Sequence, residues 1–133
     1  MVDAERVIRL LDGIRQDVER LRRISPSDGE AFDAIKYRFI TAIEGAARVA
    51  HHLRVSEGWT TPESNADAFA VLDRQGVITP ELATQLGRAA GFRNVFVHRY
   101  TEVDDEHVLA NLARLTGLDD YVTQVGTWLR TPG

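Results

Sequence analysis

The run GFRNVFVHRY, residues 91–100, sets Arg93, His98 and Tyr100 among apolar neighbours. An imidazole, with an ordinary pKa of about 6.5, moves protons at neutral pH. A guanidinium offers phosphate a permanent fork of donors. A phenol hydrogen-bonds phosphate or stacks on a base. Together the three suit metal-free RNA cleavage. The ribose 2′-hydroxyl attacks the adjacent phosphorus, the imidazole handles its proton, and the guanidinium steadies charge on the phosphoryl oxygens. The same trio also fits a helix end at which each residue caps or packs. Spacing alone does not separate the two readings.

Charge distribution favours an anionic ligand near this run. Residues 82–101 contain no acid but carry Arg88, Arg93, His98 and Arg99, and residues 45–56 are equally acid-free, with Arg48, His51, His52 and Arg54. The acids Glu102, Asp104, Asp105, Glu106, Asp119 and Asp120 gather towards the C-terminus. The formal net charge of −4 therefore argues against a non-specific nucleic-acid coat, while a local basic pocket stays available. Fifteen of the sixteen cationic residues are Arg, which fits codon bias as well as selection for forked phosphate contacts.

Composition bounds the rest. A chain of 133 residues with 44% apolar and 27% charged content predicts one domain, residues 1–133, with one core. The absence of cysteine excludes disulfides and thiolate metal sites. The N-terminal MVDAERVIRLLDGIRQ has early acids and no long apolar run, so neither a signal peptide nor a membrane span is expected, and the protein reads as cytoplasmic.

The elements that must position the trio are helical. Val7, Leu10, Leu11, Ile14, Val18 and Leu21 recur at three- and four-residue steps, predicting a helix over 5–24. SPSDG, residues 25–29, ends it. A second helix is expected from about Glu30 to Arg54, with an apolar line through Phe32, Ile35, Phe39, Ile43, Ala46, Ala47, Ala50 and Leu53. Its small residues predict close approach of another helix. A loop holding Ser56, Gly58 and Trp59 follows. TTPES predicts a third helix over 62–75 with a Thr cap and Pro62 at its first position, turning Ala66, Phe69 and Leu72 inward. Thr79 and Pro80 open a fourth, and Asp104 or Asp105 caps a fifth reaching about Arg130, with Leu109, Leu112, Leu115, Val122, Val125 and Leu129 in its core stripe. No stretch alternates as a strand, so the fold class is an all-α bundle.

On an unbroken helix Arg93 and His98 lie about 140° apart. Gly91, the β-branched Val95 and Val97, and the downstream acids predict a frayed or bent segment instead. A chain extended past Val97 puts His98 and Tyr100 on one side, and a bend gathers the trio in one cleft. The adjacent His51 and His52 point about 100° apart on a helix, which argues against a metal pair.

The run, with TEVDDEHVLANL after it and TPESNADAFAVLDRQGVITPELATQLGRAAGFRN before it, resembles the signature of the HEPN superfamily, specifically its HepT-like branch. AIEGAARVAHHL resembles the family's second-helix segment, and the likeness covers about residues 30–130. It implies a HEPN-like bundle of four to five helices in up-and-down order. It further implies a metal-independent endoribonuclease toxin with no cofactor. His98 would be general acid or base, Arg93 would contact the scissile phosphate, and Asn94 would orient the phosphate or the His. The cleft would form across a two-fold homodimer. A nucleotidyltransferase (MNT) antitoxin would neutralise the toxin and attach AMP to Tyr100. Glu44 and His52 match an acid and a later His of the second helix and would support the cleft or bind RNA. Arg99 and Arg48 stand where relatives often carry acidic or small residues and an acid respectively. Arg99 adds positive charge beside the RNA site, and either difference would shift antitoxin recognition or RNA preference.

Two other functions fit the same sequence. One is an inactive module that holds RNA or a nucleotide. The other is a structural adaptor for a nucleotidyltransferase. His107 beside acids reads as solvated, and Trp59 and Trp128 read as packing or dimer contacts.

Overall fold

The structure is a computed structural model, and it describes residues 2–23, 29–98 and 115–131. Among the described residues there are five helices and no strand: α1 (Ala4–Arg23), α2 (Gly29–Glu57), α3 (Asn65–Arg74), α4 (Pro80–His98) and α5 (Leu115–Arg130). No helix among them is long and apolar enough to cross a membrane.

α2 is the hub and touches all four other helices. Its sequence explains the position. Ile35, Phe39, Ala42, Ile43, Ala46, Ala47, Val49, Ala50 and Leu53 are all buried, so apolar side chains occupy more than one face. α1 is amphipathic by contrast. Val7, Leu11, Ile14, Val18 and Leu21 are buried along one stripe while Leu10 is only partly covered. Asp3 caps α1, its carboxylate accepting from Arg6 N–H at 3.1 Å.

The small residues of α2 do bring another helix close. A Cβ built on Gly45 would stand 3.1 Å from Ile14 Cγ1 of α1. α5 closes the bundle through Tyr121, which is fully buried, lies edge-on to Phe69 at 5.7 Å, and donates its hydroxyl to Ala46 O at 2.8 Å. Burial pushes this phenol's pKa far up, so it stays a donor at any physiological pH.

Four local expectations change. α2 continues through Ser56 to Glu57, and Gly58 in left-handed geometry (φ 68°) then turns the chain. α3 begins at Asn65, not near Pro62. Ser64 Oγ accepts from Asp67 N–H at 3.0 Å, and Asp67 accepts in turn from Glu63 N–H at 3.0 Å. Thr61, the other capping candidate, instead receives Arg54 Nη2. Ala66 is exposed, and Ala68 and Val71 join Phe69 and Leu72 inside. Finally, α4 runs unbroken through Val95 and Val97 to His98, so the fraying or bend expected over residues 91–98 is not there, and the extended stretch expected to reach Tyr100 lies outside the described residues. Thr79 does cap α4, with Oγ1 accepting from Leu82 N–H at 3.3 Å. The expected start of the last helix at Asp104 or Asp105 lies outside the described residues. Trp59 and Trp128 pack on each other edge-on at 5.8 Å.

Two mid-helix glycines make a controlled comparison. A Cβ on Gly13 meets nothing within 4 Å, so Gly13→Ala should add about 0.5–1 kcal/mol of stability, or a few degrees in Tm. Gly45→Ala should destabilise by about 1–3 kcal/mol, because Ile14 is 1% exposed and cannot yield. Thermal denaturation of both variants checks the opposed signs.

Candidate functional site

Arg93 lies near the C-terminal end of α4. The helix is anchored just before it by Phe92, whose ring meets Phe39 of α2 edge-on at 6.3 Å. One residue on, the Arg93 guanidinium reaches Glu44 of α2 and forms an ion pair through Nη2 and Oε1. The Arg93 side chain is 21% exposed and the Glu44 side chain 38%. Most of the guanidinium is thus out of bulk water, and a carboxylate from another helix meets it. A pair of this kind fixes the plane of the fork.

Glu44 also lines a cleft between α1 and α2, of about 200 Å³, together with Arg9, Gly13, Asp17, Thr41, Gly45 and Arg48. Asp17 is buried, 5% exposed, and its Oδ1 accepts from Arg38 Nη1 at 3.1 Å. Burial raises its pKa above the ordinary carboxylate value, and Arg38 and Arg20 oppose that shift. Arg48 sits one turn beyond Glu44 and is exposed.

Of the residues singled out in the sequence, the structure thus brings Arg93 and Glu44 together. It holds Asn94 and His98 in helical backbone, with His98 the last residue of α4. Their positions fall about 100° and 140° around the axis from Arg93. Arg99 and Tyr100 lie outside the described residues. His52 does not join Arg93. It lies about 12 Å along α2 from Glu44, where its Nε2 is 3.3 Å from Asp3 N and 3.4 Å from Ser56 Oγ. His51 turns elsewhere, to Asn65 Oδ1 at 3.1 Å. The two adjacent imidazoles therefore serve different contacts. Among the described residues no group of three or more His, Asp or Glu is placed to hold a metal ion.

The sequence reading had not marked Arg9, Gly13 or Asp17. Gly13 carries the available signal, since a glycine inside a helix costs about 1 kcal/mol relative to alanine.

The sequence profile of the family described as "Ribonuclease HepT-like" matches residues 4–125. The chain is 35% identical over 69 residues to tRNA nuclease HepT of Aphanizomenon flos-aquae, a match spanning 51% of this chain and about half, 47%, of that relative. It is 31% identical over 112 residues to a putative RNase of Archaeoglobus fulgidus, covering 83% of this chain and 84% of the relative. Among solved structures, the tri-AMPylated HEPN toxin of Shewanella oneidensis in complex with MNT antitoxin superposes with a TM-score of 0.85 at 21% identity, covering 96% of this chain and 99% of that one. That superposition shows that this chain shares the all-α fold of that toxin.

The geometry predicts a modest but measurable coupling between α2 and α4. In a double-mutant cycle, Glu44→Ala and Arg93→Ala should show an interaction of about 0.5–1 kcal/mol, reduced by salt because both groups are partly exposed. Additive effects in denaturant unfolding would contradict the pair.

Proposed function

Because the chain belongs to the HepT-like ribonuclease family, we propose that it is a metal-independent endoribonuclease acting as the toxin of a toxin–antitoxin pair. The observation that carries the reading is the Arg93 guanidinium of α4, held in place by Glu44 of α2. A fixed, largely desolvated cation is what a phosphodiester needs as it gains charge in the transition state. The relatives named as tRNA nuclease and putative RNase support the same chemistry.

In this mechanism the ribose 2′-oxygen forms a bond to phosphorus and the bond from phosphorus to the 5′-oxygen breaks. One proton leaves the 2′-hydroxyl and one is delivered to the departing 5′-oxygen. His98 performs the proton transfer, Arg93 stabilises the phosphoryl oxygens, and Asn94 orients the phosphate or the imidazole. Positions 93 and 98 lie about 140° apart on α4, so the groups of one chain do not share a face. A two-fold homodimer that juxtaposes the ends of two α4 helices resolves this, because it offers two copies of each group to one phosphodiester.

The partner is a nucleotidyltransferase antitoxin. The Shewanella complex of an AMPylated HEPN toxin with its MNT antitoxin supports both the partner class and the modification. Here the acceptor is Tyr100, whose oxygen takes AMP from ATP as pyrophosphate leaves. The added phosphate puts negative charge where RNA phosphate must bind, and the nucleotide fills the cleft.

Induced expression of the wild-type chain should arrest growth and degrade cellular RNA. His98→Ala should abolish both, with a loss of about 10²–10⁴ in cleavage rate. Equal growth and equal RNA integrity in the two cultures would reject the nuclease and favour a binding or adaptor role.

A further inference from the structure

The α1–α2 cleft beside the Arg93–Glu44 pair has a charge arrangement of its own. It is lined by two carboxylates and two guanidiniums. Both carboxylates are engaged, Asp17 by Arg38 and Glu44 by Arg93. Arg9 and Arg48 are exposed and form no ion pair among the described residues. They come from different helices, 39 residues apart in sequence, and border the same space of about 200 Å³. Counted over the described lining residues and their ion-pair partners, the balance of charge at the cleft is positive.

The walls are also kept low. Gly13 and Gly45 line the cleft. Packing against Ile14 explains Gly45. It does not explain Gly13, where a side chain would meet only open space and would make α1 more stable. A glycine there keeps the floor accessible. Among the described residues no aromatic side chain lines the cleft.

We propose that this cleft is a backbone-phosphate subsite, in which Arg9 and Arg48 hold the RNA strand flanking the scissile bond, and this rests on the nuclease reading above. Glu44 is the link between the two places. It pairs with Arg93 and also lines the cleft, so a strand whose scissile phosphate lies on Arg93 has Arg48 and Arg9 available for its flanking phosphates. Recognition at this subsite is of phosphate charge, because guanidiniums are its cationic groups and phosphate contacts carry no sequence information.

The test compares the wild type with the Arg9→Ala/Arg48→Ala double variant and with Gly13→Gln, each first confirmed folded by its thermal transition. Binding is followed by fluorescence anisotropy of a 2′-O-methyl oligouridylate of about ten residues at rising salt. Loss of two phosphate contacts should weaken binding about tenfold at low salt and flatten the slope of log K against log salt by about 1.4. Gly13→Gln should weaken binding by filling the floor. In parallel, cleavage of the matching RNA oligomer should show a raised KM in the double variant, while cleavage of a dinucleotide stays within twofold of wild type. Unchanged binding and salt slope would overturn the subsite. So would equal loss on oligomer and dinucleotide, which would mean that the substitutions act through Glu44 and Arg93. A wild type that cuts neither substrate would reject the nuclease, and the anisotropy comparison would then decide the cleft alone.

Discussion

A guanidinium drawn most of the way out of water must be met by an anion, and in this bundle Arg93 of α4 meets Glu44 of α2. The pair is partly exposed, so its worth to stability is small. Its importance is positional. Everything that sets the distance between α2 and α4 sets the attitude of the one cation that the proposed chemistry cannot do without. Phe92 on Phe39 fixes that distance from the α4 side. From the other side, α2 is pressed against α1 at Gly45 and held by the Tyr121 hydroxyl on Ala46. A half-buried ion pair thus acts as the gauge of a packed core.

The same packing explains why α4 stays straight. Val95 and Val97 lower helix propensity by only tenths of a kcal/mol each, and Gly91 by about one. Those amounts do not outweigh a helix whose buried face includes Leu82, Ala83, Leu86, Ala89 and Ala90 and whose end is pinned by Phe92. The consequence is chemical. The helix carries positions 93 and 98 round to different faces, and the proposed function therefore calls on two chains to complete the cleft.

Much of the bundle could be read before any coordinates. The three- and four-residue spacing of Val7, Leu11, Ile14, Val18 and Leu21 specified which face of α1 is buried, and the alanines and Gly45 of α2 announced close helix approach. Thr79 followed by Pro80 marked the start of α4 correctly. The α3 start did not follow the same cue, because two threonine and serine caps compete within four residues. Ser64 wins because its hydroxyl accepts from Asp67 N–H while the Asp67 carboxylate accepts from Glu63 N–H, and Thr61 is taken by Arg54. Arg93 and Glu44, both named from sequence, pair in the structure, while His52 accepts from Asp3 N–H at the start of α1. The cleft could not be read, since Arg9 and Arg48 meet only through the antiparallel packing of two helices, which no local pattern encodes.

The most direct test of the central claim is the chemistry of the cut ends. Purified protein is incubated with a defined RNA in the presence of EDTA, and the fragments are analysed by mass spectrometry. A guanidinium-stabilised attack of the 2′-hydroxyl predicts 2′,3′-cyclic phosphate and 5′-hydroxyl ends, formed by the wild type and lost in Arg93→Ala. Cleavage abolished by EDTA, fragments ending in 3′-hydroxyl, or unaltered cleavage by Arg93→Ala would contradict it.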